Sequence, residues 1–498
     1  KITSEQADLL LKSVSDSLGN EIAKRGARVH FLHRIGATNR VIKGYQDDAL
    51  GSVFYNYMSG IAGSLNKLEA SYRFHDAMKA IKPSQPELFE YANRYTKDML
   101  RNPDATDRRI NQLKTIPFAW YLIGNFRMAV AQFAQNWMTA APILSRSLND
   151  WNVGGAGATA RILKAQWDIA NKSLPANEVA MLAKALSQGE TAATLINEMK
   201  GKLSEGWVKN KADWLIEKLA IPFSGMEKFN RMSALVAMFR VAQESGMGPD
   251  QAFREAKKFV RNTHYAYGLS NMPQLLRDGT TLSKYAGGAY TFRSFTHNYL
   301  LSMRYYSRDS NGKLVLGFLP HMDVMGRSLA ALALMGGLAG VPFLDDILDE
   351  MEKQMAIPYR SNMRKVLNGI GGQILSDVGM AGMPAIIGID LSGSMKLGVP
   401  FIGGKGNEIW GVWGGLIDSG KKAIAQLSEG DVLRAVETMS PVVVQAPLKG
   451  LRMGTEGIKT SSGRDILDKS GSPIKMTTRE AITQAAAFRP VRISQTQG

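Results

Sequence analysis

Cysteine is absent from the chain. That excludes a disulfide framework, a thiolate-held zinc or iron–sulfur centre and a cysteine nucleophile. It does not fix a compartment, because a protein that passes between compartments also benefits from having no thiol to oxidise. Alternating β-branched runs are scarce, and the best strand candidate, Pro441–Gln445 (PVVVQ), is short. Acidic residues are the minority, 44 Asp and Glu against 61 Lys and Arg, for a net charge of +17. The excess is spread: residues 1–250 carry 32 basic and 24 acidic side chains, leaving 29 and 20 for the rest. No run of five like charges reads as a nucleic-acid arm, but a pI near 9.7 suits loose association with nucleic acid or anionic lipid. Lys1–Ser15 lacks the continuous apolar core of a signal peptide, and with Lys at position 1 the chain is expected to be processed or a piece of something longer.

What is present is helix after helix. A length of 498 residues allows two to four structural units. Apolar residues recur at three- and four-residue spacings over Glu5–Leu18, Glu21–Leu32, Pro86–Asn102, Ser204–Leu219, Phe223–Ala242 and Pro249–Thr263. Pro86 suits a first turn, and the Gly-Met-Gly-Pro run before Asp250 suits a helix end and restart. The expectation is an all-α, elongated multi-helix array with Gly-rich apolar helices toward its C-terminus. Its expected regions are residues 1–110, 111–320, 321–452 and a basic peripheral tail, 453–498.

The glycines carry the second signal. Twenty-six of the 49 lie in residues 321–498, inside apolar stretches. Ser328–Leu344 has no charge, Val366–Ile389 only Asp377, and Thr115–Leu144 only Arg127. Each approaches the ~20 apolar residues of a membrane span, but Pro, Asn, Gln and Gly interrupt them. Buried core helices, conditional insertion and, last, a constitutive span are the readings, because small residues let helix backbones approach closely in protein or in lipid. Leu334, Gly336, Gly337, Gly340, Gly371, Gly372 and Ile387 are the candidate membrane or oligomer contacts. Asp377 would then face a neighbouring chain or a watery lumen. Trp207, Trp214, Met226 and Phe229 add apolar surface suited to self-association.

Catalytic motifs are weak. Glu244-Ser245 resembles the Glu-Ser pair of lytic transglycosylases, but Met247–Phe253 does not supply the glycine-rich segment that follows it there. A solvated Glu in a last helical turn, with Gly246 ending the helix, is the plainer reading. Gly154-Gly155-Ala156-Gly157 lacks the strand a dinucleotide fingerprint requires and reads as a helix–helix joint. His30 and His33 lie one turn apart without a third ligand nearby, so with Arg28 and Arg34 they form a basic helix face. Arg25, Arg28, Arg34 and Arg127 are the candidate DNA-facing cations. No catalytic residue, metal or cofactor is implied.

Three places carry a resemblance. They are Pro117–Pro142 with Gly124-Asn125, Gln132 and Gln135; Phe229-Asn230-Arg231 followed by Thr263-His264-Tyr265-Ala266-Tyr267; and the end, with Pro441, Pro447–Arg452, Ser462-Gly463-Arg464 and Ala487–Arg492. Their order over about residues 110–495 resembles the C-terminal part of the very large polyvalent proteins of bacteriophages. Pro447-Leu448 is not followed by the Arg-Phe-Gly run of one branch of them. The resemblance implies an internal virion or ejection protein of a short-tailed phage, packed in the capsid and expelled into the host envelope. Its expected partners are copies of itself, other ejection, portal or tail proteins, viral DNA and the envelope membrane. An enzyme fragment acting on peptidoglycan or nucleic acid, or a DNA-binding scaffold of the capsid core, is the alternative.

Overall fold

The computed structural model describes residues 67–79, 81, 85–101, 104–122, 124–147, 154–192, 211–265, 271–290, 294–306, 324–341, 344–395, 412–460 and 463–497. The chain divides into two compact units, Lys1–Asn102 and Pro103–Gly498. The protein is all-α, as its periodicity predicts. In the first unit, α1 (67–79) and α2 (Pro86–Leu100) meet where Phe74 packs edge to face on Tyr95, centroids 6.4 Å apart. The expected helices Glu5–Leu18 and Glu21–Leu32, and with them Arg25, Arg28, His30, His33 and Arg34, lie outside the described residues.

The second unit opens with α3 (Ala105–Tyr121), whose N-terminus is closed by reciprocal 2.9 Å bonds between Asp104 and Asp107, each backbone N–H donating to the other's carboxylate. Asn125 then caps α4 (Phe126–Phe133) and also donates to the Tyr121 carbonyl, so one side chain fixes the turn between two helices. After α4 comes a π-helical turn, Asn136–Ala140, and then α5 (Ala141–Ser147). The apolar stretch Thr115–Leu144 is thus broken between Tyr121 and Phe126, and a π-helical turn interrupts the helical run after it. α6 (Gly154–Ala170) and α7 (Ala176–Ser187) follow. The Gly154–Gly157 run opens α6, where a joint between helices was expected.

The second unit is organised on α8 (Lys211–Glu244), a single helix of 34 residues that joins the two expected segments through Pro222. At about 1.5 Å per residue it is ~50 Å long. Its Ala234, Leu235, Val236, Ala237, Phe239, Val241 and Ala242 are buried, together with Ala252, Phe253, Ala256, Phe259 and Val260 of α9 (Pro249–Thr263). Burial at three- and four-residue spacing in α9 is the amphipathic pattern read from the sequence. α10 (Thr281–Tyr290) packs on α3, with Gly288 against Ile110 and Lys284 3.6 Å from Asp107. α11 (Ser294–Tyr306) stacks Phe295 on its own Tyr299, 6.2 Å apart.

The remaining elements are α12 (Val324–Gly340), α13 (Leu344–Met355), α14 (Tyr359–Ala381), a 3-10 turn Met383–Ile387, β1 (Ile389–Asp390) and α15 (Ser392–Met395). Then come α16 (Val412–Ser428), α17 (Val432–Thr438), α18 (Val442–Thr455), α19 (Thr478–Ala485), β2 (Arg489–Pro490) and α20 (Val491–Gln497). Pro441–Gln445 is helical: Pro441 is the N-cap of α18, and its valines form the first turn. β1 pairs instead with β2, antiparallel, Ile389 opposite Pro490 and Asp390 opposite Arg489. Residues 453–498, expected as a peripheral tail, are folded in. Met453, Ile458, Met476 and Ile493 share a small core, and the Val491 N–H donates to Gly388 at 3.0 Å. The polar composition misled because this core needs only a few apolar side chains.

Candidate membrane- and partner-contacting site

α14 is two helices, not one. Gly371 (φ −140°, ψ 20°) and Gly372 (φ 68°, ψ −173°) leave helical geometry and turn the chain back on itself. A straight helix would hold residues twelve apart at ~18 Å. Yet the Ser376 hydroxyl donates to the Arg364 carbonyl at 3.3 Å, and Gly379 lies against the Leu367 side chain. Both pairs centre on the two glycines, so Tyr359–Ala381 is an antiparallel helical hairpin with Gly371-Gly372 at its tip. Only glycine tolerates a φ of 68° at no steric cost, so the sequence places the bend.

The base of the hairpin is seated by a second glycine contact. Gly337 (φ 63°) breaks α12, and Gly382 (φ 83°) ends α14. A Cβ on Gly337 would lie 2.5 Å from the Ala381 nitrogen, and one on Gly382 2.7 Å from the Gly336 nitrogen, both closer than Cβ atoms come. Two backbones therefore touch where neither residue has a side chain. Asp377 accepts a hydrogen bond from Gln495 at 2.5 Å, and Ala381 and Ala385 pack with Val491, so α20 holds the base too. On the outer arm, Arg360 is bound twice by Glu352 of α13, with both its backbone N–H and its guanidinium at 2.8 Å.

Beyond that base, residues 368–375 are all exposed. Val366, Ile370 and Ile374 are 60%, 75% and 69% exposed, spaced by four residues, and Leu375 joins them. Met383, Ile386 and Ile387 on the following 3-10 turn are also exposed, as is Leu334 on the outer side of α12. Of the candidate contacts, Gly336, Gly337 and Gly340 are buried within the fold. Gly371, Gly372, Ile387 and Leu334 are on the surface. Gly382, one of the glycines that punctuate Val366–Ile389, is not among the candidate contacts, although a Gly-Met-Pro run after an apolar helix is a visible break. No helix among the described residues is long and apolar enough to cross a membrane. The expected 17- and 24-residue stretches fail as continuous rods because Gly337 and Gly371-Gly372 bend them.

The other singled-out residues meet elsewhere, in the core. The Arg231 guanidinium donates to the carbonyls of His264 (3.2 Å) and Tyr265 (3.5 Å), and lies 3.3 Å from Glu227. Asn230 donates to the Gln132 carbonyl at 2.5 Å, while Asn136 donates to Ser233 Oγ at 2.9 Å and to the Asn230 carbonyl at 3.2 Å. Gln135 reaches the Thr263 carbonyl at 3.5 Å. The π-helical turn is what aims Asn136 at α8, an extra residue rotating it into the seam. The Thr263 hydroxyl donates to the Phe259 carbonyl at 2.9 Å, so its oxygen is free to accept from His264 Nδ1–H at 3.0 Å. Burial, and secondarily the Arg231 charge, push the His264 imidazole well below its usual range, and it is neutral. Asn136 and Asn230 are fully sealed. This knot ties α8, α9 and the π turn together.

Glu244 is the last residue of α8 and pairs with Arg161 at 2.6 Å, with Gly246 (φ 84°) just beyond. Arg127, expected to face DNA, is half-buried, and Asp390 and Arg489 are its charged neighbours. Met226 and Phe229 are half-buried on α8, with Phe229 stacked on Phe133 at 6.2 Å. Trp207 lies outside the described residues. No family model, no curated protein and no solved structure matches this chain.

Proposed function

We propose that this chain is an internal virion, or ejection, protein of a short-tailed bacteriophage. Expelled into the host envelope, it assembles with copies of itself into a channel for genome delivery. The observation that carries this reading is the apolar hairpin. A tip of Val366, Ile370, Ile374 and Leu375, held out from the fold on two glycines, is a costly way to build a water-facing surface. It suits a segment that enters the acyl boundary of a bilayer or docks into a neighbouring copy. Lys365 and Arg364 behind the tip suit anionic headgroups, each basic residue near such a surface contributing about 1 kcal/mol. Two exposed apolar faces, Ile417, Ile424 and Leu427 on α16 and Val432 and Val436 on α17 with Met439 at its C-cap, suit contacts between copies. The absence of cysteine and the net charge of +17 are compatible with passage between redox compartments and with DNA moving past. In this reading the chain is not an enzyme, and Glu244 serves its ion pair with Arg161.

Electron microscopy of the purified chain, alone and with anionic liposomes, tests the reading. Rings or tubes of identical copies on the liposomes are expected. Monomers that neither assemble nor bind liposomes would overturn it, and peptidoglycan cleavage lost in Glu244→Gln would replace it with the enzyme reading.

A further inference from the structure

α16 and α17 form one antiparallel helical pair, covered by the fold on one side. The Thr438 hydroxyl of α17 donates to Gln426 Oε1 of α16 at 2.8 Å, and Ala423 and Ala435, one turn away on each helix, are buried. Three contacts mark the covered side. Glu437 is bound by Arg452 of α18 at 2.6 and 3.1 Å, Arg434 donates to the Thr460 carbonyl at 2.9 Å, and a Cβ on Gly415 would lie 2.7 Å from the Tyr121 hydroxyl. At about 100° per residue, Gly415, Arg434 and Glu437 all fall to the same side of the seam between the two helices.

The opposite side is apolar. Ile417, Ile424 and Leu427 of α16 fall there, and so do Val432 and Val436 of α17 with Met439 at its C-cap. Antiparallel helices turn the same rotational sense toward one face, so the six residues share one surface. Each is between 49% and 69% exposed. No charged residue lies among them, and Lys421 borders the face. A single exposed leucine needs no explanation. Six such side chains on one face leave on the order of 600 Å² of apolar surface, most of the ~800 Å² that each partner gives a standard interface.

We infer that this face is closed by the same face of a second copy, the two α16–α17 pairs packing as a four-helix bundle about a two-fold axis. The inference rests on the self-assembly in the proposed function and assigns one of its contacts. A face without polar groups requires an equally apolar partner, and a two-fold axis supplies one without a second specialised surface. The spacing of Ile417, Ile424 and Leu427, seven residues and then three, is the seam spacing of helices that pack side by side in such bundles.

Sedimentation of the full chain in lipid-free buffer, over a range of concentrations, should show dimers. Ile424→Ser with Val436→Ser should raise the dimer's Kd at least a hundredfold, since two apolar side chains per copy leave the contact. These residues are 69% and 50% exposed, so a native circular dichroism spectrum is expected of the variant. The chain has no cysteine, so Ile424→Cys, Leu427→Cys, Val436→Cys and Met439→Cys each introduce a unique thiol. Residues beside a two-fold axis meet their own copies, and a disulfide needs Cα atoms about 4.4–6.8 Å apart. At least one of the four should therefore cross-link to itself under mild oxidation. A monomer at every concentration, or a dimer unchanged in the double variant, overturns the inference. A dimer lost in the double variant without any self-cross-link overturns the two-fold pairing, the face then meeting another surface of the next copy. Flotation of a monomeric chain on phosphatidylcholine–phosphatidylglycerol vesicles, lost in the double variant, overturns it in favour of lipid. Rings on liposomes that survive the double variant leave the channel reading standing without this contact. A solution dimer that forms no rings leaves this contact standing without the channel.

Discussion

The α6–α9 region and the α12–α14 region differ in what joins their helices. Around α8, helices are stitched by polar side chains. Arg240 grips Glu178 at 2.7 and 2.8 Å and Asp168 at 2.8 Å, Lys184 meets Asp250 at 3.0 Å, and Arg261 and Lys257 share Glu190. Beneath them runs the sealed knot of Asn136, Asn230, Arg231 and His264. Around α12 and α14 the central joint is backbone on backbone at Gly337 and Gly382, flanked by Arg360–Glu352 and Gln495–Asp377, with an exposed apolar finger beyond it. A stitched core fixes one arrangement, because its buried polar groups lose their partners in any other. A glycine joint depends chiefly on close fit, and glycine gives up more chain entropy on folding. The second region is therefore the one suited to moving or being remade.

The largest effect expected from breaking this contrast lies in the knot. Arg231→Ala leaves Glu227 buried, together with the carbonyls of His264 and Tyr265, and should cost about 3–5 kcal/mol of stability in denaturant unfolding. An effect below ~1 kcal/mol would mean that the knot is not the fastening of α8 to α9. Next comes the glycine joint. Gly337→Leu needs a positive φ and drives a Cβ into Met380 and Ala381, so a loss of about 3 kcal/mol is expected. That substitution should also abolish assembly, although it raises hydrophobicity.

A pH titration reads the knot without changing its size. The folded-state pKa of His264 is depressed from the ordinary 6.5, so the unfolded chain binds the proton more readily. Stability from this group is complete above pH 6.5 and is lost as pH falls below it, by up to ~1.4 kcal/mol per pH unit until the folded pKa is reached. His264→Gln should flatten the denaturant midpoint between pH 7 and 5, the range chosen to bracket the free imidazole. On the C-terminal side, Glu480 is held to about 2, chiefly by its hydrogen bond from Arg492, so its contribution fades only between the free carboxylate's 4.5 and 2. The His264 loss sets in below pH 6.5 and the Glu480 loss only below 4.5. A smaller and opposite effect is expected at Gly369, which has open space around it: Gly369→Ala should stabilise the outer arm of the hairpin by about 0.5–1 kcal/mol.

Much of this fold is legible in the sequence where a helix is amphipathic and capped. Pro249–Thr263 has the bounds its pattern gives, because Pro249 and the burial of Phe253, Ala256 and Phe259 act together. Pro441–Gln445 reads as a strand candidate because three consecutive valines favour a strand locally, whereas in the structure Pro441 caps α18 and the valines form its first turn, with Val443 against Gly124. Residues 453–498 were misread because a core of Met453, Ile458, Met476 and Ile493 is too sparse to show as periodicity. At the hairpin, Gly371 and Gly372 stood out, but glycine in an apolar run is compatible with a tight helix contact and with a reversal alike. Only the partner residue tells them apart: Met380 and Ala381 lie against Gly337, whereas nothing lies against Gly372.

The least stability change, and the sharpest functional one, is expected at the tip. Ile370 and Ile374 are 75% and 69% exposed, so they contribute little to the fold. The double change Ile370→Ser and Ile374→Ser should leave the unfolding midpoint within about 0.5 kcal/mol of the parent. Burying one such side chain in an apolar medium is worth roughly 1.5–3 kcal/mol, so the pair should cut liposome binding or self-association by two orders of magnitude or more. Flotation with anionic liposomes and light scattering read the two separately, which tells a lipid-facing tip from a partner-facing one. The control is Leu332→Ser, a buried α12 residue, which should behave in the opposite way, costing stability before it costs binding. If the tip variant loses stability as Leu332→Ser does, the hairpin is packed in solution, and the contrast between a stitched region and a free finger fails.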